Sequence, residues 1–189
     1  RKMAEIFSYL EDVEPYIEEL PVDRAAKVVS FMDADDALDV LDDLQEEKKQ
    51  EIVSRLESAA QKDVRRLLSY EEDEIASCMT NNFICIREDL SIREAMKELI
   101  RQAREHDNIS TLYAVDTEDK FAGAIDLKDL ILAGVQDNLQ DIISSSYPYV
   151  LEHEKIDECI EKISEYEEDS IPVLTEDGII AGILTATDI

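Results

Sequence analysis

The sequence predicts an α + α/β chain, with a helical unit first and two copies of one α/β motif after it. Three observations predict this. Residues 3–70 contain no glycine and carry apolar residues at helical spacing. From residue 79 onward the chain repeats itself once, with strand, turn and helix signals in the same order in both copies. With 189 residues, 44% of them hydrophobic, the chain can fill at least two cores.

The helical unit spans 1–72. Val28, Val29 and Met32 make one apolar stripe, with Ala25 a turn earlier. Leu38, Leu41 and Leu44 make a second, Ile52, Val53 and Leu56 a third, and Val64, Leu67 and Leu68 a fourth. Pro21 stands at the entry of the first of these helices, where a missing N–H costs least. Asp33 is a candidate N-cap for the second, and further acids crowd its first turn, where the helix dipole favours them. Helices of about three turns are unstable alone, so these predict a small bundle or superhelix with an acidic exterior.

The repeat becomes visible on offsetting the chain by 64, which lays Met79–Ile86 on Ile143–Val150 and Ile92–Met96 on Ile156–Ile160. Further on the offset is 59, and Ala122–Leu130 falls on Ala181–Ile189. The first copy therefore holds an insertion of 64 − 59 = 5 residues, around Arg101 to Asn108. Each copy reads as an extended segment (84–86; 149–151), an amphipathic helix (92–103; 156–166) and a strand (110–115; 170–174). A tight turn and a second strand follow (121–126; 179–185), ending at a helix start (127–132; 186 onward). Gly123 and Gly182 interrupt the second strands and predict close backbone approach. The copies occupy 73–135 and 136–189, the second ending inside its last helix.

Charge narrows the function. With 47 acidic residues against 19 basic ones, the net charge is −28. That excludes a nucleic-acid surface, which needs clustered Lys and Arg, and disfavours an anionic membrane face. Two readings stay open: a solubility device, or a surface that gathers divalent cations through carboxylate oxygens. Cys78, Cys85 and Cys159 lack the spacing of a zinc or disulfide framework and predict buried free thiols in a reducing cytosol. No apolar run reaches the ~18–20 residues of a membrane span, and no signal peptide is present. The chain starts and stops inside patterned segments and reads as a fragment.

Asp35, Asp36 and Asp39 form a D-D-x-x-D cluster in which Asp35 and Asp39 share a helix face. Their repulsion costs stability unless a cation or a helix N-terminus offsets it, and the sequence leaves both open. Asp188 likewise suits a helix N-terminus. No catalytic residues are predicted: there is no G-x-S-x-G, P-loop or H-E-x-x-H, and the segment after Asp116 fails the EF-hand pattern. His106 and His153 are expected to be exposed.

The repeat resembles the CBS domain, whose tandem pair is an α/β module. Ile171-Pro172-Val173 before an Asp-Gly turn, then a glycine-bearing strand and an Asp-led helix, carries that resemblance. Leu68 to Thr80, after an acidic helical unit, resembles the junction of N domain and first CBS domain in MgtE-type magnesium transporters. Ala76-Ser77-Cys78-Met79-Thr80 departs from that family's Gly-Gly-Leu-Met-Thr. The resemblance covers essentially the whole chain and implies a helical superhelix or bundle followed by a tandem CBS-domain pair.

It further implies Mg2+ ligands at Asp35, Asp36 and Asp39 facing Asp188, and a second acidic site at Asp157 and Glu167; Glu71–Glu74 reads as linker. ATP or another adenosine nucleotide would use Thr111, Lys128, Asp129, Thr185 and Asp188. Against it, Asp126 replaces a hydroxyl, and Glu168 stands where an aromatic is expected near adenine. The implied partners are a second copy, through a CBS face of Leu130, Leu132 and Ala133, and the transmembrane pore domain of the same chain. Binding of Mg2+ would close N and CBS domains and gate that pore from the cytoplasmic face of the membrane. The rival readings are a soluble CBS-pair nucleotide sensor and the regulatory region of an enzyme.

Overall fold

The computed structural model describes residues 13–163 and 168–185, which fall in two compact units, Arg1–Glu72 and Asp73–Ile189. In the first, α1 (Glu14–Glu19), α2 (Val22–Val29), α3 (Ala34–Asp42), α4 (Glu46–Arg55) and α5 (Ser58–Leu67) follow one another. Helix α2 packs on α4, α3 on α5, and α4 on α5, so most contacts join a helix to the next but one, as in a superhelical stack.

Pro21 precedes α2 in extended backbone, and Asp33 precedes α3 with ψ of 155°. Ala25, Ala26, Val28 and Val29 of α2, with Ile52 and Val64, form the core. The second stripe differs from the expected leucines. Helix α3 buries Ala34, Ala37, Val40 and Leu41, while Leu38 is only half-buried. Small alanines let α3 approach closely, which turns Leu38 to the edge. Leu68 is likewise 42% exposed, because α5 ends at Leu67. Ser30 links turns of chain: its hydroxyl donates to the Ala26 carbonyl (2.8 Å) and accepts from the Glu57 N–H (2.9 Å).

The second unit holds two three-stranded sheets of the same design. In one, β1 (Cys85–Arg87) pairs parallel with β2 (Thr111–Val115), which pairs antiparallel with β3 (Phe121–Asp126). In the other, β4 (Val150–Leu151), β5 (Ser170–Leu174) and β6 (Ile180–Thr185) repeat that order. Parallel pairing requires a crossover, which α6 (Ile92–Gln102) and α8 (Ile156–Ile163) supply. Even the irregularities recur: the register shifts at Ala114/Val115 and at Val173/Leu174. Ser91 opens α6 with a capping box closed by Glu94. The inserted residues of the first copy are held by Asn82, whose side-chain Oδ1 accepts from Asp107 N–H at 2.8 Å.

Each sheet is extended by the chain that precedes the other repeat. Thr80 pairs antiparallel with Ile183 of β6, and Ser144 with Ala124 of β3. The mid-strand glycines make room for these crossings. A Cβ on Gly123 would lie 2.5 Å from the Ser144 carbonyl oxygen, and one on Gly182 would lie 2.8 Å from that of Thr80. Helix α7 (Leu127–Leu132) covers the first sheet. Its Leu130 is turned fully into the core, unlike the sequence expectation, and the apolar surface left open there is Ile131 (59% exposed), Leu132 (71%) and Val135 (57%). Cys159 is buried, whereas Cys78 and Cys85 are half-buried; all three are free thiols. Among the described residues no helix is long and apolar enough to cross a membrane.

The glycines give a direct test. Gly123→Ala must also hold φ at 149°, so it is expected to cost about 2–3 kcal/mol of unfolding free energy, and Gly182→Ala about 1–3 kcal/mol, where the Met79 side chain can give but the Thr80 carbonyl cannot. Urea unfolding of the whole chain measures both. Two variants as stable as the parent would show that the crossing segments are not held in place.

Candidate functional site

Asp35 and Asp36 lie half-buried in the first turn of α3, and Asp39 is exposed one turn on. The Asp39 carboxyl is held above its ordinary 3.8, first by partial desolvation and then by the charges of Asp42 and Asp43. The crowding therefore extends toward the C-terminal end of α3, where the helix dipole also opposes negative charge. Sequence reasoning missed Asp42 and Asp43, although Asp39, Asp42 and Asp43 have the i, i+3, i+4 spacing that brings side chains together. Asp42 itself pairs with the Lys49 ammonium. Among the described residues no three or more His, Cys, Asp or Glu side chains converge on one point to enclose a metal.

The second unit is organised around a contact between its repeats. The fully buried Tyr113 of β2 places its hydroxyl 2.6 Å from the Ser170 Oγ of β5, and the Tyr147 hydroxyl donates to the Ser170 carbonyl at 2.7 Å. The two rings meet edge to face, and Phe83 and Phe121 pack against Tyr113. Burial pushes the Tyr147 phenol up to about 12; a bond to the Thr111 side chain opposes this, and Glu168 and Asp169 add to it. Burial, reinforced by Asp119, also pushes the Cys85 thiol up to about 12, so it serves as packing.

Beside this contact opens a cleft of about 560 Å³, the size range of small-molecule sites. Ser110, Thr111, Asp126, Leu127, Lys128, Ile131 and Leu132 line it from the first repeat, and Glu168 and Asp169 from the second. Two of the expected nucleotide residues, Thr111 and Lys128, are thus together. Asp129 is exposed in the first turn of α7 and does not line the cleft. Thr185 ends β6 opposite Ser170, the counterpart of Asp126 opposite Thr111. Asp126 also accepts the Lys128 N–H at 2.7 Å and so caps α7. The part played by Asp169 carried no motif, since it arises only when the second repeat is laid against the first.

Asp157 is exposed in the first turn of α8. Glu167 and Asp188 lie outside the described residues. His153 is exposed as expected and lies 2.9 Å from Glu74. His106 differs from expectation: it is half-buried, and desolvation lowers its pKa.

The profile of the MgtE intracellular N domain matches residues 1–73, and that of the CBS domain matches 73–135 and 139–189. The chain is 28% identical to the magnesium transporter MgtE of Thermus thermophilus over 193 aligned residues, covering 100% of this chain and 43% of that protein. The chain therefore spans less than half of that relative. Among solved structures, it resembles the soluble part of a magnesium transporter, with a TM-score of 0.91 and 28% identity over 99% of this chain and 75% of that one. The cytosolic domain of the Mg2+ channel MgtE in complex with ATP gives a TM-score of 0.87 and 29% identity, over 99% and 77%.

Because the folded chain raises the pKa of Asp39, it binds more protons than the unfolded chain just above pH 3.8. Stability tied to this group is thus present in acid and lost as pH rises through the folded value. Asp39→Asn is expected to raise the melting temperature at pH 7, with the gain vanishing below about pH 3.8. Calorimetry across that range checks it; a pH-independent gain would assign the effect to packing.

Proposed function

The chain belongs to the family of MgtE intracellular N domains joined to a CBS-domain pair, and from that premise we propose that it is the magnesium-sensing regulatory region of a magnesium transporter. It acts at the cytoplasmic face of a membrane whose pore is formed by another part of the same protein, and it regulates without catalysing a reaction. The repeats taken as its CBS domains are 73–135 and 136–189.

The observation that supports this reading is the crowding of carboxylates on α3, at Asp39 with Asp42 and Asp43, in a chain that aligns over its whole length with part of the magnesium transporter MgtE of Thermus thermophilus. Mg2+ keeps most of its waters and needs only one or two carboxylates from a protein, so dispersed acids suit it better than a closed cage. Asp35, Asp36 and Asp39 of the helical unit, and Asp157, Glu167 and Asp188 of the CBS pair, would hold the ions. Each ion offsets like-charge repulsion, and ions that bind only the closed arrangement shift the population toward it. A second copy would cover the apolar surface of Ile131, Leu132 and Val135 on the CBS half.

Small-angle scattering tests both claims. Forward scattering should give the mass of two chains, and millimolar Mg2+ should reduce the radius of gyration below that in NaCl of equal ionic strength. Replacing Asp35, Asp36 and Asp39 together by Asn should compact the metal-free chain and blunt its response. Equal effects of Mg2+ and matched NaCl would leave the acids as a solubility device.

ATP, bound by the relative, is expected to bind this chain weakly. Three carboxylates, Asp126, Glu168 and Asp169, line the cleft against one ammonium, Lys128, and phosphate would approach them at a cost. Asp126→Ser keeps a good helix cap and removes one charge. Titration calorimetry should show little heat with the parent and at least about fivefold tighter binding in the variant. Tight binding by the parent would refute the charge argument.

A further inference from the structure

The two repeats are near copies, so a departure from their symmetry marks something that one copy does alone. The clearest departure lies where the helical unit ends. Directly after Glu72, residues 73–76 run along the turn 152–155 of the second repeat, not along the first repeat that follows them in sequence. Ile75 N–H donates to the Glu154 carbonyl (2.8 Å) and Ala76 N–H to that of Glu152 (3.3 Å). The Asp73 carbonyl accepts the Ile156 N–H at 3.0 Å, and Ile156 begins α8. Helix first turns carry N–H groups with no partner inside the helix, so this bond ties the first residue of the second unit to the start of α8. Two charged contacts reinforce it: Lys155 Nζ donates to Asp73 Oδ1 at 2.7 Å, and His153 Nδ1 lies 2.9 Å from Glu74 Oε1.

The first repeat uses the equivalent positions differently. By the offset of 64, His153 and Lys155 correspond to Asp89 and Ser91, and Asp73 and Glu74 to Asp137 and Asn138. Asp89 pairs with Arg87 at 2.7 Å, and Ser91 caps its own helix. Asp137 accepts from Gly134 N–H at 2.6 Å and Asn138 from Gln140 N–H at 3.4 Å, both local turns. A turn needed only to complete the fold would have this form in both copies.

We propose that Asp73, Glu74, His153 and Lys155 form an ionic latch that fastens the first residues of the second unit to the N-terminus of α8. They are positioning residues for the helix that bears Asp157. The lowered pKa of Asp73, held down by its bond to Lys155, agrees with this arrangement. The latch also engages two acids of the Glu71–Glu74 run in contacts within the protein. Only its coupling to metal rests on the magnesium-sensing reading.

Amide hydrogen exchange on the whole chain tests the latch without metal. In the double variant His153→Gln/Lys155→Gln, exchange at Ile75, Ala76 and Ile156 should rise about three- to tenfold, with Tyr113 and Ala124 in the core unchanged. The exchanged pair Asp73→Lys/Lys155→Asp should restore most of the protection that Lys155→Asp alone removes. Unchanged exchange at the three amides, an equal rise in the core, or no restoration by the exchanged pair would overturn the latch. With Mg2+, the Ile156 amide of the parent should change in step with compaction, and that of the double variant should not follow. An Ile156 amide that responds equally in both would overturn the coupling. Absence of compaction in the parent would instead count against magnesium sensing, with the metal-free result still deciding the latch.

Discussion

Thr80 crosses to β6 and Ser144 crosses to β3, and both crossings run past a glycine with no space for a Cβ. This reciprocal exchange is the constraint on which the second unit depends. It fixes the repeats face to face, which buries Tyr113 entirely and brings its hydroxyl to Ser170. A buried phenol without a partner would cost about 1–3 kcal/mol, so the serine opposite is as necessary as the ring. The same facing of repeats creates the cleft, whose walls come from β2, β3 and α7 of one copy and from Glu168 and Asp169 of the other. It also explains why the chain leaving the helical unit meets the second repeat first.

An excess of negative charge is handled differently in three places. At Asp39, partial burial first and neighbouring acids second raise the pKa, so repulsion from Asp42 and Asp43 adds to the cost of desolvation. Around the cleft, Glu168 and Asp169 make ionisation of Tyr147 harder, so their field reaches the inter-repeat contact. At Asp73 the sign reverses, because Lys155 stabilises the carboxylate. The ion pairs themselves, such as Arg55–Asp23 and Lys120–Glu118, are largely exposed and contribute little stability each. Folding therefore rests on the apolar cores.

Much of this was legible in the sequence, and the reasons differ by element. Strands β3 and β5 and helix α7 matched their expected bounds, because alternation or helical spacing was bracketed by turn residues. The paired glycines announced a close approach, though not what approached; the crossing partner lies 144 − 123 = 21 residues from Gly123 and 182 − 80 = 102 from Gly182, where no local pattern reaches. Leu38 misled because leucines dominate any reading of hydrophobic spacing, whereas the face of α3 was chosen by Ala34 and Ala37. Thr111 and Lys128, implied by the resemblance, line one cleft, whereas Asp129, implied with them, is exposed and does not line it. The tyrosine–serine contact left no trace in composition, and His106 gave no sign of burial in its polar neighbourhood.

The Thr80–Ile183 bond has a consequence for the making of the protein. A ribosome adds about 5–20 residues per second, so the 103 positions from Thr80 to Ile183 take roughly 5–20 s to appear. Through that interval Ile75, Ala76 and Met79, all destined for burial, have no finished surface to lie against. The first repeat must likewise wait for Ser144 before β3 gains its neighbour. Nascent chains are thus vulnerable at the junction for longer than anywhere else in the unit, and slowed translation between the repeats would lengthen that exposure. Acids on both sides of the apolar stretch, Glu71 to Glu74 before it and Glu88 and Asp89 after it, keep two such waiting chains apart on one messenger.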